Sequence, residues 1–319
     1  MSDAPKVSVL IATYNHERYI AQAVTSALTQ ETDFPIEVIV GEDCSTDGTR
    51  QVLLNLQRQY PTSLKLLLHD PNIGGGRNVA AVLAACRGKY VAMLEGDDYW
   101  TDPRKLQRQA DALDANRSWS ACFHPSRMMF EDGSQPPKLY PANWTKDVAT
   151  IEDLFRENFI CTCSIMFRNG LFGPLPAWHQ ETVPGDWAIH MLNAHHGPIG
   201  FLPEVMADYR IHASGVWSSK SLAQQHCEVF KMLSRVDHHF GGRYARQIDE
   251  YRIDVVSNLA NWLDLATKHA ATLEAERRIR EERRESRPAA VKAVLNVGRK
   301  VEDFSRRART AVGLRRKAG

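Results

Sequence analysis

The feature that most constrains this chain is a regular alternation, through residues 1–115, of short β-rich runs with helical patterns. Lys6 to Thr13 (KVSVLIAT), Ile36 to Gly41, Leu64 to Leu68 and Tyr90 to Leu94 read as strands. Between them Ile20, Ala23, Val24, Ala27 and Leu28 repeat at helical spacing, Val52, Leu53 and Leu56 share a face, and Val79 to Cys86 forms a third helical run. Asn15 stands where an N-cap for the first helix is expected. Pro103 falls at the expected first turn of a fourth helix, where its missing N–H does no harm. Strands alternating with helices predict a parallel, doubly wound sheet, and in such sheets ligands bind beyond the carboxyl ends of the strands. Three polar clusters fall at such ends: Thr13-Tyr14-Asn15, Glu42-Asp43 and Glu95-Gly96-Asp97-Asp98.

The last cluster is the one with chemistry in it. Carboxylates as close as Glu95, Asp97 and Asp98 repel one another and raise each other's pKa. A divalent cation relieves that repulsion. Mg2+ and Mn2+ prefer oxygen ligands, take few of them from protein, and leave positions for the phosphates of a substrate. Asn72 to Asn78 (NIGGGRN) is a glycine-rich turn before a helix, where backbone amides can approach an anion. No Gly-x-Gly-x-x-Gly follows the first strand, which excludes a Rossmann dinucleotide fingerprint.

Past residue 116 the pattern changes. Ser118 to Pro125 and Arg127 to Phe130 read as short strands around a turn at Glu131-Asp132-Gly133-Ser134, and Pro136 to Asn143 as a loop. Glu152 to Asn158 reads as helix and Cys161 to Phe167 as an apolar strand, on which the thiols of Cys161 and Cys163 share a face. Residues 221–286 are helical in composition, and residues 287–319 form a basic tail. The six cysteines make no Cys-x-x-Cys pair, so burial rather than zinc or redox chemistry is expected of them.

Charge and hydropathy narrow the function classes. The last 33 residues carry a balance of +8, which against +2 for the whole chain leaves −6 for residues 1–286. A mildly acidic body argues against nucleic acid as the partner. No apolar run approaches the roughly 18 residues of a membrane span, and the first residues lack a signal-peptide layout, so a cytoplasmic protein is expected. Within the tail, Val291, Val294, Val297, Val301, Phe304, Ala308 and Val312 step by three or four, with Lys and Arg largely off that stripe. A basic amphipathic helix over residues 288–314 suits peripheral contact with an anionic membrane.

Val7 to Asn15 (VSVLIATYN), Glu42 to Thr49 (EDCSTDGT), Asn72 to Asn78 and Glu95 to Arg104 (EGDDYWTDPR) occur in an order and spacing that resembles family 2 glycosyltransferases of the GT-A fold. The resemblance is strong over residues 6–110 and looser to about residue 217. It implies an α/β fold with a Rossmann-like, mixed, mostly parallel sheet and flanking helices, followed by a C-terminal helical region. Residues 1–115 become the nucleotide-sugar-binding half and 116–220 the acceptor-binding half of one domain. It further implies an inverting transfer from a nucleotide diphosphate sugar, a UDP-sugar by the family's habit, to a hydroxyl of a glycan or lipid-linked acceptor, assisted by Mn2+ or Mg2+.

Roles follow residue by residue. Tyr14 lies near the base, with Thr13 and Asn15 beside it; Asp43 accepts from the base's imide N–H; Arg77 orients part of the nucleotide. Asp97 is expected to hold the ribose or the metal and Asp98 to bind the metal, while His212 is expected either to complete the metal or diphosphate site or to stand as a hydrogen-bonded structural histidine. The catalytic base is expected about ninety residues past the metal motif, within Glu-Asp. Here that position is Gly185-Asp186, so Asp186 is the candidate base, with Glu181 as fallback and a helix cap at Trp187 to Asn193 as its structural alternative. Trp217 is placed for a lid over the donor, while His195-His196 reads as a plain helix terminus. The departure at Gly185 keeps a non-catalytic nucleotide-sugar-binding scaffold in view. A sugar-phosphate nucleotidyltransferase would need a Gly-rich, Arg- and Lys-containing loop after the first strand, and Thr13-Tyr14-Asn15-His16 is not one.

Overall fold

The computed structural model describes residues 4–213, 215–217 and 220–258, together with Glu274, Arg277 and Arg278. The amphipathic tail expected over residues 288–314 lies outside them. Four β-α repeats open the fold: β1 (Val7–Thr13), α1 (Ile20–Leu28), β2 (Ile36–Glu42), α2 (Thr49–Gln59), β3 (Leu64–Leu68), α3 (Gly75–Ala85), β4 (Tyr90–Glu95), a two-residue β5 (Tyr99–Trp100) and α4 (Lys105–Ala115). There follow β6 (Ala121–Phe123), β7 (Ser126–Phe130), β8 (Lys138–Tyr140), β9 (Val148–Ala149), α5 (Ile151–Arg156), β10 (Met166–Arg168), α6 (Gly185–Ala194), β11 (Ile199–Phe201), β12 (Ala207–Ile211) and α7 (Leu222–His239). Short 3-10 turns occupy Thr162–Ser164 and Ala177–Glu181. A separate compact unit begins at Asp254, and its described residues are helical. Among the described residues no helix is long and apolar enough to cross a membrane.

The main sheet runs β3-β2-β1-β4-β10-β6-β11-β9. β1 to β4 are parallel, and β10 enters antiparallel between β4 and β6. β1 and β4 are apolar along nearly their whole length because helices cover both faces, as parallel sheets require. Val7, Val9 and Ile11 pack with Ile20, Val24 and Ala27 of α1 and with Leu106, Ala110 and Leu113 of α4. The opposite face meets α3. A Cβ at Gly41 would lie 2.5 Å from Val82 Cγ2, so glycine is what lets that helix sit on β2.

The chain winds outward from β1 through β2 to β3, then returns to β4 on the other side of β1. That reversal opens a crevice between the carboxyl ends of β1 and β4. The register levels these ends: Thr13 pairs with Glu42, and Ala12 with Glu95. Parallel pairing thus delivers all three polar clusters to one edge. A second sheet, β5-β12-β7-β8, closes over the same edge, with Ala207 paired to Trp100 and Asp208 to Tyr99.

Three expectations are corrected. Asn15 does not cap α1; its φ of 57° turns it into a loop, where its Oδ1 accepts from the Thr46 amide at 2.8 Å. The strand expected from Cys161 to Phe167 exists only from Met166, because Thr162–Ser164 coils as a 3-10 turn. The thiols of Cys161 and Cys163 therefore share no strand face, although both are buried and free. The loop expected at 136–143 contains β8, which adds to β7 at the edge of the second sheet.

Candidate active site

The site is built from the end of β4 outward. Glu95 closes β4, and Asp97 and Asp98 sit in the turn before β5, so one carboxylate oxygen from each lies within 4.8 Å of the others. Gly96 makes the turn possible. A Cβ there would lie 2.4 Å from Thr13 Oγ1 and 2.7 Å from His16 Nδ1, so the knot is pressed against the end of β1. Burial, reinforced by the charge of Asp97, pushes the carboxyl of Glu95 well above its usual range, and Asp186 adds to the effect. Asp98 is raised for the same first reason, with Cys163, Asp97 and Glu95 beside it adding to the effect. Asp97 goes the other way: burial would raise it, but the hydrogen bond from His212 and the neighbouring His16 hold it low.

The oxygens divide their work. Asp98 Oδ1 accepts from the Arg210 amide at 2.8 Å, and Asp97 Oδ2 lies 3.0 Å from His212 Nε2 and 3.6 Å from His16 Nε2. Asp97 Oδ1 and Asp98 Oδ2 are buried with no hydrogen-bond partner among the described residues. Buried carboxylate oxygens without partners are costly, and such groups are ordinarily paired or bind a metal. Two orphaned oxygens beside Glu95 fit a hard divalent cation, with Asp97 and Asp98 as its protein ligands.

β12 supplies the other wall. Asp208 and Arg210 point to one side of the strand, with His212 two residues further on. Asp208, fully buried, receives Arg127 through two bonds of 2.8 Å and the Tyr99 hydroxyl at 2.6 Å. His212 is held at Asp97, its imidazole raised by that hydrogen bond, and its ring lies 5.1 Å from that of Tyr19.

α6 brings Asp186 close enough to the knot for its charge to act on Glu95. It sits in the first turn of α6, whose N-cap is Pro184 and has no side-chain cap, so Asp186 is not itself the helix cap. Its Oδ2 accepts from Thr162 Oγ1 at 2.9 Å. Buried His190, one helical turn on, has its imidazole pushed down to about 4 by burial, against the pull of Asp186. At Gly185 the backbone is packed: a Cβ would lie 3.3 Å from His179 Nε2, which also bonds the Gly185 carbonyl at 3.0 Å.

The remaining expected residues line the ends of β1, β2 and α3. Thr13 is buried and Tyr14 is 43% exposed beside it. Asp43 is buried with its carboxylate already engaged by the amides of Ile73 and Gly74, at 2.7 and 2.9 Å. It therefore anchors the glycine-rich loop, and each oxygen keeps a second lone pair for a further donor. Arg77, in the first turn of α3, bonds Gln180 Oε1 at 3.2 Å and is exposed. The fallback acid Glu181 is also exposed. His16, Thr162 and Arg210 are the site residues that sequence reasoning passed over. Arg210 carried a readable signal, since a strand ending at Ile211 puts 208 and 210 on one face with 212 following.

Comparison with known proteins agrees with this geometry. The Glycosyl transferase family 2 profile matches residues 8–172. An uncharacterized protein of Mycobacterium tuberculosis is 40% identical over 214 residues, 67% of this chain and 61% of the relative, so the match spans about three fifths of that relative's length. The structure of S. aureus TarS (residues 1–349) in complex with UDP-GlcNAc superposes with a TM-score of 0.55 at 22% identity, over 72% of this chain and 65% of that one. The mannosyltransferase PcManGT from Pyrobaculum calidifontis, in complex with GDP-Man and Mn2+, superposes with a TM-score of 0.56 at 17% identity, over 85% and 81%. The sheet order, the acidic turn after β4 and the sequence match converge on one conclusion: the chain belongs to glycosyltransferase family 2.

Proposed function

We propose that this chain transfers a sugar, with inversion, from a nucleotide diphosphate sugar to a hydroxyl of a glycan or lipid-linked acceptor. The observation that carries the reading is the pair of orphaned buried oxygens, Asp97 Oδ1 and Asp98 Oδ2, at the crevice between β1 and β4. Asp97 and Asp98 would hold Mn2+ or Mg2+, with His212 beside them. When bound, the ion neutralises the charge that develops on the departing diphosphate. Tyr14, Thr13, Asn15 and Asp43 would receive the nucleoside, and Arg77 would orient it. Complexes of fold neighbours with UDP-GlcNAc and with GDP-Man and Mn2+ support a nucleotide-sugar donor and a divalent ion.

Asp186 is the proposed base. The acceptor hydroxyl attacks the anomeric carbon as the bond to the diphosphate oxygen breaks, and the proton passes to Asp186. Thr162 occupies one lone pair of Oδ2, which leaves Oδ1 to take it. A positioned base of this kind contributes about 10²- to 10⁴-fold in rate. The protein would act in the cytoplasm, with the basic tail at the membrane if its acceptor is lipid-linked.

Gly185, which withholds a second acid next to Asp186, favours the other reading, a donor-binding scaffold without turnover. A thermal-shift screen of UDP- and GDP-sugars with Mn2+ tests the donor site shared by both. A true donor at 100 times its Kd should stabilise the fold by about 2.7 kcal/mol. The gain should vanish in Asp98→Ala; no stabilisation by any nucleotide-sugar would sink both readings.

A further inference from the structure

Arg210 is tied to the acidic knot at two points, one from its main chain and one from its side chain. Its amide holds Asp98 Oδ1 at 2.8 Å. Its guanidinium donates through Nη1 to the carbonyl of Asp97 and through Nη2 to Gln22 Oε1 on α1. Tyr99 and Tyr19 flank it, their ring centroids 4.4 and 5.0 Å from Cζ. Two aromatic contacts and two directed bonds leave so planar a group little freedom. Arg210 thus links β12, the knot turn, β5 and α1.

We propose that Arg210 is a positioning residue for the cation site: it fixes the Asp97-Asp98 turn, so that the knot's carboxylates, one oxygen of each within 4.8 Å of the others, stay together without its taking the cation's place. Its side chain engages the carbonyl of Asp97, leaving Oδ1 untouched, and its main chain takes only Oδ1 of Asp98, leaving Oδ2. A carboxylate cluster kept ready in this way needs no rearrangement when the ion arrives. Residues that orient metal ligands from outside the coordination sphere typically change affinity by about 10- to 100-fold when substituted. The inference rests on the reading that the knot binds a divalent ion.

The test is titration of the full chain with Mn2+ alone, read from the free-ion electron paramagnetic resonance signal, with circular dichroism and Tm checked for each variant. Arg210→Ala keeps the amide bond to Asp98 and removes only the guanidinium, so roughly 10- to 100-fold weaker binding is expected. Arg210→Lys keeps the charge as a point cation that cannot span both acceptors, and should fall between the two. Gln22→Leu removes the outer anchor alone and should weaken binding by a smaller factor; it and Arg210→Lys carry the test if Arg210→Ala fails to fold. Folded Arg210→Ala binding Mn2+ within twofold of wild type would overturn the proposal and leave the metal reading intact. Wild type and Asp98→Ala binding Mn2+ alike would instead remove the metal reading and the proposal with it.

Discussion

At the scale of single residues, this site depends on close approaches that allow no extra atom. Gly96→Ala places a methyl group 2.4 Å from Thr13 Oγ1, so either the knot or the end of β1 must move. We expect a stability loss of about 1–3 kcal/mol, and Mn2+ binding weakened beyond what that loss accounts for, by calorimetric titration. Wild-type metal affinity in a folded Gly96→Ala would show that the knot is not positioned by this contact. Thr162 offers the complementary test at the base. Replacing its hydroxyl with a methyl in Thr162→Val removes one bond to a carboxylate, worth about 1.5–3 kcal/mol. Donor turnover should fall tenfold or more with the donor KM unchanged, and Thr162→Ser should restore it. A change in KM instead would place Asp186 among the donor contacts.

At the scale of elements, the first four strands were legible because each is a short apolar run that alternates with a helical pattern. Leu64–Leu68 was placed to the residue, and β1, β2 and β4 to within one, since apolar runs end where the polar clusters begin. The second half was less readable. Cys161 to Phe167 is as apolar as a strand, but the bond from Trp100 Nε1 to the Cys163 carbonyl and that from Gln109 Nε2 to the Ser164 carbonyl hold the chain in a 3-10 turn. Those partners lie more than fifty residues away, beyond any local pattern. The same turn brings Thr162 to Asp186. Asn15 had cap chemistry and used it on Thr46, in the loop that follows β2. The candidate site was therefore readable where it follows strands (Asp97, Asp98, His212) and hidden where a long-range turn makes it (Thr162).

α4 carries an element-scale prediction of its own. Lys105 is buried, its Nζ 2.7 Å from Gln109 Oε1 and 4.1 Å from the Trp100 ring centroid, and burial lowers its pKa to about 7 from 10.5. Between those values the unfolded chain holds a proton that the folded chain has released, so this group makes stability rise with pH, by at most about 1.4 kcal/mol per unit. Below about 7 the whole cost of the buried charge is present. Lys105→Met lacks this contribution, so its stability relative to wild type, from urea unfolding at pH 6, 8 and 10, should be highest at pH 6 and decline as pH rises. A pH-independent difference would mean that Lys105 stays charged throughout, held by Trp100 and Gln109.

At the scale of the whole molecule, the fold brings two chemistries to one edge. The winding of β1 to β4 creates the crevice and its carboxylates, and the second sheet with α6 adds Arg210, His212 and Asp186 from the far half of the sequence. In the proposed function the nucleoside is received by the first half, the cation site is completed by His212 from the second, and transfer needs Asp186 from the second as well. The most direct test of this account is release of nucleoside diphosphate from the donor found by thermal shift, with Mn2+ present, for wild type, Asp98→Ala and Asp186→Asn. The account predicts release by wild type, none above background in Asp98→Ala, and in Asp186→Asn a loss of about 10²-fold or more with donor still bound. Donor bound by wild type without release, or release by Asp186→Asn at the wild-type rate, would contradict it.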